Sequence, residues 1–161
     1  MISNAIALTG GLLQGIHAKT THGLIRGSDR FNLVAIVDPE FAGKYTDEVL
    51  TGYQERIPIY RSVRDFVENC PEPALYCILG VATKGGIIPD PIREEIKKAI
   101  DEGLHIVNGL HTYLSDIPEF QKIATEKEVE IHDIRKPRPT HKLAFWSGRI
   151  KDIKVPRIAV L

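Results

Sequence analysis

The segment ALYCILGV, residues 74–81, is apolar at almost every position, and it constrains the fold more than any other stretch. A strand with one wet face alternates apolar and polar residues; a strand covered on both faces loses that alternation. Shorter β-type runs recur along the chain: NAIALT (4–9), NLVAIVD (32–38), IPIY (57–60), HIVNGL (105–110) and VEIHDIR (129–135). Between them lie stretches with helical spacing. Ala18, His22, Leu24 and Ile25 stand at roughly helical spacing over 18–27. Ser62 is placed to cap a helix that turns Val63, Phe66 and Val67 inward. Asp90 as N-cap, Pro91 at N1 and Gly103 at C′ punctuate a helix carrying Ile92, Ile96, Ala99 and Ile100. A further helix from near Ser115 or Asp116 buries Phe120, Ile123 and Ala124. Strand–helix alternation of this kind predicts an α/β, Rossmann-like, doubly wound and mainly parallel sheet with helices on both faces. RKPRPTHK (135–142) breaks the periodicity with two prolines. Residues 1–140 are therefore expected as one domain, and 141–161 as a linker that runs into a last strand, RIAVL (157–161).

Composition removes several classes of function. The 161 residues hold 21 basic and 21 acidic side chains, and a chain without a positive surplus is not expected to bind nucleic acid non-specifically. No apolar run approaches the roughly 20 residues of a membrane span, and MISNAIALTGG lacks the regions of a signal peptide. A cytoplasmic location, without membrane association, is expected. Cys70 and Cys77 form no CxxC pair and read as reduced, space-filling residues. No HExxH, Cys/His or GxSxG pattern occurs, so no metal site and no activated serine is expected.

In an open parallel sheet, ligands bind beyond the carboxyl ends of the strands, near the point where the strand order reverses. The residues after each strand are therefore the candidates. Gly10 and Gly11 follow the first strand, and Lys19 and Thr20 open the next helix, where an anion could meet free N–H groups. GxGxxG is absent, and a glycine-rich turn without any ligand explains the same residues. Asp38 ends the second strand, where a dinucleotide-binding domain places its ribose carboxylate, although Asp-Pro is also an ordinary turn. Lys84, Gly85 and Gly86 follow the fourth strand, Asn108, Gly109 and His111 the fifth, and Asp133, Arg135 and Lys136 the sixth. These ends converge on one rim. Arg and Lys suit carboxylate or phosphate recognition. His111 is the side chain of the group whose ordinary pKa lies near neutrality, and it is also explained as a capping or surface residue.

AKTTHGLIR (18–26), VAIVD with AGK (34–38, 42–44), NGLHTYLSD (108–116) and IHDIRKPRP (131–139) together resemble a bacterial and archaeal family described as D-glutamate N-acetyltransferase-like. The resemblance covers roughly residues 4–140. It implies a two-domain protein, a Rossmann-like N-terminal domain followed in cis by a P-loop NTPase-like domain. RIAVL would then lead into a Gly-Lys-Ser/Thr phosphate loop. The implied activity is acetyl transfer from acetyl-CoA to D-glutamate or a related D-amino acid. This chain would form one wall of the substrate site and be inactive alone. Within that reading, His111 or Asp133 is expected as the base and Arg135 or Lys136 as the carboxylate-binding cation. Acetyl-CoA or a nucleotide is implied for the full-length protein, with no cofactor assigned to this chain alone; a small-molecule substrate and a homo-oligomer are expected. Two other readings stay open: a nucleotide- or dinucleotide-binding module using Gly10, Gly11 and Asp38, or a structural domain for assembly of the P-loop partner.

Overall fold

The computed structural model describes residues 2–144, 147–152 and 154. Six strands, β1 (Ser3–Leu8), β2 (Phe31–Val37), β3 (Ile59–Tyr60), β4 (Tyr76–Leu79), β5 (His105–Asn108) and β6 (Ile131–Asp133), form one sheet in the order β3-β2-β1-β4-β5-β6. Every pairing is parallel. The helices are α1 (Lys19–Ile25), α2 (Thr46–Val49), α3 (Val63–Asn69), α4 (Asp90–Asp101) and α5 (Pro118–Glu126). The strand order reverses between β1 and β4, the Rossmann arrangement that the sequence pattern predicted.

The period of two along each strand sorts side chains to the two faces. Ile6 and Leu8 of β1, Cys77 and Leu79 of β4 and Ile106 of β5 join Phe66, Ile96, Ile100 and Phe120 in the main core under α3, α4 and α5. Ile36 of β2 points the other way, to Leu13, Ile25, Phe41, Leu50 and Ile59 beneath α1 and α2. Ala5, Ile78 and Val107 are buried in a third, small cluster with Leu24, Phe31 and Tyr76 packed against it. Both faces of β4 are therefore covered, which is why ALYCILGV carries no alternation.

The termini of the helices follow the local chemistry with two differences. Ser62 caps α3 as expected, its side chain accepting from the Asp65 N–H at 3.1 Å. α4 ends in a Schellman turn: Leu104 N–H donates to Ala99 O and Gly103 N–H to Ile100 O, with Gly103 at φ +81°. Its start differs from expectation. Pro89 occupies the N-cap and Asp90 is already helical, with no side-chain cap bond. Pro89 supplies the extended backbone that a cap needs, so the helix begins one residue earlier. Between Asn108 and α5 a single helical turn, Leu114–Asp116, intervenes, and α5 proper starts at Pro118. After β6 the described chain forms only short turns, Thr140–Lys142 and Arg149–Asp152. The expected strand 157–161 lies outside the described residues. Among the described residues, no helix is long and apolar enough to cross a membrane.

Candidate functional site

Two clusters occupy the carboxyl edge of the sheet. The first surrounds the switch point. Gly10 and Gly11 both take positive φ, +59° and +86°. A Cβ on Gly10 would stand 2.6 Å from Ile92 Cγ1, so the turn passes α4 too closely for any side chain. Its amides converge on Asp38, which is fully buried. Asp38 Oδ2 accepts from Thr9 Oγ1 at 2.6 Å, Gly11 N at 3.1 Å and Leu13 N at 3.2 Å, and Oδ1 accepts from Glu40 N at 3.0 Å. The glycine turn therefore cradles an anion that the protein itself supplies. Of the two readings of Asp38, a ribose carboxylate or an ordinary Asp-Pro turn, the structure fits the second: the side chain turns inward and gives both oxygens to the chain's own donors.

The β1 and β4 loops are also stitched together. Thr21, buried in α1, donates its N–H at 3.1 Å and its hydroxyl at 2.9 Å to Gly80 O. A Cβ on Gly80 would lie 2.0 Å from Thr21 Oγ1, so only glycine admits this approach. Ala82 N–H donates to His17 O at 2.8 Å, and His17 Nδ1 lies 3.0 Å from Ala82 O. Thr21 was missed from sequence, since a threonine on a helix carries no sign that it will seal a loop crevice. Lys19 and Thr20 are exposed on the first turn of α1.

The second cluster is the rim over β4, β5 and β6, and it brings together His111, Arg135, Lys136, Asp133, Asn108 and Gly109. Asn108 is fully buried at the end of β5. Its amide nitrogen donates to Thr112 O at 2.8 Å and to Asp133 Oδ1 at 2.6 Å, while its oxygen accepts from Leu110 N at 3.0 Å. Asp133 also accepts from Leu114 N at 3.0 Å and Ser115 N at 2.9 Å. Asn108 and Asp133 thus act as struts that shape the loop 108–115. Thr112 Oγ1 donates to Gly86 O at 2.8 Å, joining the β4 loop to the same frame. Gly86, at φ +70°, lies under His111, where a Cβ would come 2.8 Å from His111 Cβ.

On this frame sit the exposed side chains. The His111 ring is exposed and makes no hydrogen bond among the described residues. Arg135 Nε donates to Gly109 O at 2.7 Å, which anchors one edge of the guanidinium and leaves its terminal nitrogens without a hydrogen bond among the described residues. Lys136 Nζ reaches Ser115 Oγ at 2.8 Å and Asp116 Oδ1. Tyr113 OH donates to Arg135 O at 3.3 Å, tying the β6 loop down. The rim carries an exposed imidazole, a guanidinium anchored through one nitrogen and an ammonium paired with Asp116. It is suited to taking a proton from an amine whose carboxylates are held nearby. Thr112 and Tyr113 were not singled out from sequence, and Ser115 only as a helix start; each acts through loop geometry.

A family model described as a domain of unknown function, DUF1611_N, Rossmann-like domain, matches residues 39–137. A D-glutamate N-acetyltransferase of Tritonibacter scottomollicae is 31% identical over 67 residues, covering 42% of this chain. Another of that name, from a Pseudoalteromonas species, is 33% identical over 72 residues, covering 45% of this chain. The matches span 20% of the length of each of these curated relatives. The crystal structure of a DUF1611 family protein from Anabaena variabilis superposes with a TM-score of 0.78 at 33% identity, covering 93% of this chain and 41% of that one. With the family pattern spread from the end of β2 through β6 and the same fold in a solved member, the chain belongs to the DUF1611_N family of Rossmann-like domains.

Proposed function

We propose that this chain is the Rossmann-like part of an N-acetyltransferase that moves an acetyl group from acetyl-CoA to the amine of D-glutamate or a related D-amino acid. The rim over β4–β6 forms one wall of its substrate site. The observation that carries this reading is that exposed His111 and partly anchored Arg135 are carried by loops braced into one frame, in a chain related to enzymes of that name.

Acetyl transfer to an amine needs the neutral nucleophile. His111 takes a proton from the substrate ammonium; the freed nitrogen attacks the thioester carbonyl, the carbon–sulfur bond breaks, and the second proton lost from that nitrogen goes to the leaving sulfur, which gives the amide and the CoA thiol. Asp133 is the weaker choice of base, because its oxygens already accept three protein hydrogen bonds and brace the loop. Arg135 offers its terminal nitrogens to a substrate carboxylate, with Lys136 as a second cation. The thioester-bearing donor and a P-loop-type domain that supplies the opposite wall belong to the same proposal.

The test is acetyl transfer by the product of the native gene, followed as free thiol released from acetyl-CoA. Release that depends on D-glutamate and is much slower with L-glutamate is the expected result. A folded gene product that releases no thiol with any D-amino acid would overturn the reading.

A further inference from the structure

The two edges of the sheet are finished differently. At the β3 edge the chain covers its own backbone. Gly43 N–H donates to Ile59 O at 2.9 Å, Ile59 N–H to Lys44 O at 3.0 Å and Thr46 N–H to Ile57 O at 3.0 Å, and Tyr45 bridges Pro58 in the antiparallel sense. At the other edge, among the described residues, β6 pairs with β5 alone. An uncovered edge is a template for another strand.

Backbone direction shows what that edge offers. Glu130 O accepts from Ile106 N–H and Ile134 N–H donates to Asn108 O, each at 2.9 Å, so residues 130, 132 and 134 turn their backbone groups toward β5. Alternation along the strand then turns those of Val129, Ile131 and Asp133 outward. Two of the outward groups are already engaged: Val129 N–H donates to Ala124 O at 2.9 Å, and Asp133 O accepts from Lys136 N–H at 3.1 Å. Val129 O, Ile131 N–H, Ile131 O and Asp133 N–H have no partner among the described residues.

That remainder is self-complementary. In an antiparallel pair with a two-fold axis at Ile131, the two Ile131 residues exchange N–H···O bonds, and Asp133 N–H of each copy meets Val129 O of the other. The engaged Val129 N–H and Asp133 O are the two that this pairing leaves out. The side chains fit the same register. Glu130 of one copy stands opposite His132 of the other, and the reverse. Both side chains are exposed, and within one chain they meet at 3.1 Å. An imidazole N–H donates to a carboxylate in either charge state, so these opposed residues attract where two like charges would repel. On the other face Ile131 packs against the main core, which includes Phe120 and Ala124 of α5, and the axis sets it beside its copy.

From an edge that the chain leaves uncovered, the unengaged groups along it and the opposed charges, we infer that β6 is an interface with a second copy of this chain. It joins two six-stranded sheets into one across a two-fold axis. The inference does not rest on the acetyl-transfer reading.

Sedimentation equilibrium of the chain from about 1 μM to about 1 mM tests it, with amide exchange of Ile131 and Asp133 followed by NMR at both ends of that range. The interface is small, so a micromolar dissociation constant is expected. Ile131→Pro removes an N–H that the β5–β6 ladder does not use, and it should abolish the dimer while the sheet stays intact. Glu130→Lys should weaken association about tenfold, and Glu130→Lys with His132→Glu should restore it. The Ile131 and Asp133 amides should exchange slowly only at concentrations where the dimer forms. A chain that stays monomeric at about 1 mM overturns the inference. So does a dimer that neither Ile131→Pro nor Glu130→Lys weakens. A monomer whose Ile131 amide is already protected overturns it as well, because the chain itself then covers the edge.

Discussion

Replacing Asp38 by alanine would strand the N–H groups of Gly11, Leu13 and Glu40, while the Thr9 hydroxyl keeps Val37 O at 3.1 Å. Buried donors without partners cost about 1–3 kcal/mol each, offset where water enters. Asp38→Ala is therefore expected to lower unfolding stability by about 2–4 kcal/mol in urea titration; a loss under about 0.5 kcal/mol would contradict the structural role given to it. Gly80 makes a second point at this scale. Gly80→Ala should cost about 1–3 kcal/mol through overpacking against Thr21. Thr21→Ala removes the oxygen that the new methyl meets, so the double variant should show a coupling of about 1 kcal/mol. Additive losses would mean that the clash with Leu8 O, at 3.0 Å, dominates instead. Burial pushes the Cys77 thiol up from its ordinary range, whereas Cys70 is only half-buried. A thiol reagent should therefore label Cys70 in the folded protein and Cys77 only after unfolding. The sequence identified Asp38, Gly10 and Gly11 as special but left the reason open. A buried carboxylate that organises a glycine turn and one that holds a ribose occupy the same place in a linear pattern, and only the inward rotation of the side chain separates them.

Among the elements, the strands and the longer helices were legible because apolar period and end signals agreed. α4 has both, and even its Schellman end was readable from Gly103. Its start slipped by one residue because Pro89 and Asp90 are both competent to precede a helix. α2, four residues long, left no periodic trace; it is held by the Glu48 side chain, which accepts from Tyr45 N–H at 3.2 Å, and by Thr46, whose hydroxyl accepts from Ile57 N at 2.9 Å. The pairing of α4 with α5 adds a surface cluster that no single-helix pattern reveals. Glu119 of α5 meets Lys97 at 2.6 Å and Arg93 at 2.5 Å. The hydrogen bond from Lys97, then that from Arg93, holds the Glu119 carboxyl below its ordinary value. A depressed carboxyl contributes its stability above the unfolded value, about 4.3, and loses it as pH falls through the folded value. The stability difference between wild type and Glu119→Gln should thus be constant above about pH 5 and shrink below it. A difference that does not change between pH 6 and pH 3 would show that the cluster contributes nothing in solution.

For the molecule as a whole, the doubly wound parallel sheet follows from alternating elements and right-handed crossovers, and the strand order places the candidate residues on one edge. Which residues on that edge brace the loops and which face outward was not legible, because it depends on hydrogen bonds between loops more than twenty residues apart, such as Thr112 to Gly86 and Arg135 to Gly109. Asn108 and Asp133 brace the rim; His111 and Arg135 stand outside it. That division is the centre of the account, and steady-state acetyl transfer to D-glutamate tests it most directly. The measurement compares wild type, His111→Asn and Arg135→Ala in the product of the native gene. His111→Asn should lower kcat about a hundredfold or more with little change in KM, and Arg135→Ala should raise KM about tenfold or more. If both variants keep the wild-type kcat and KM, the rim over β4–β6 is not a wall of the substrate site.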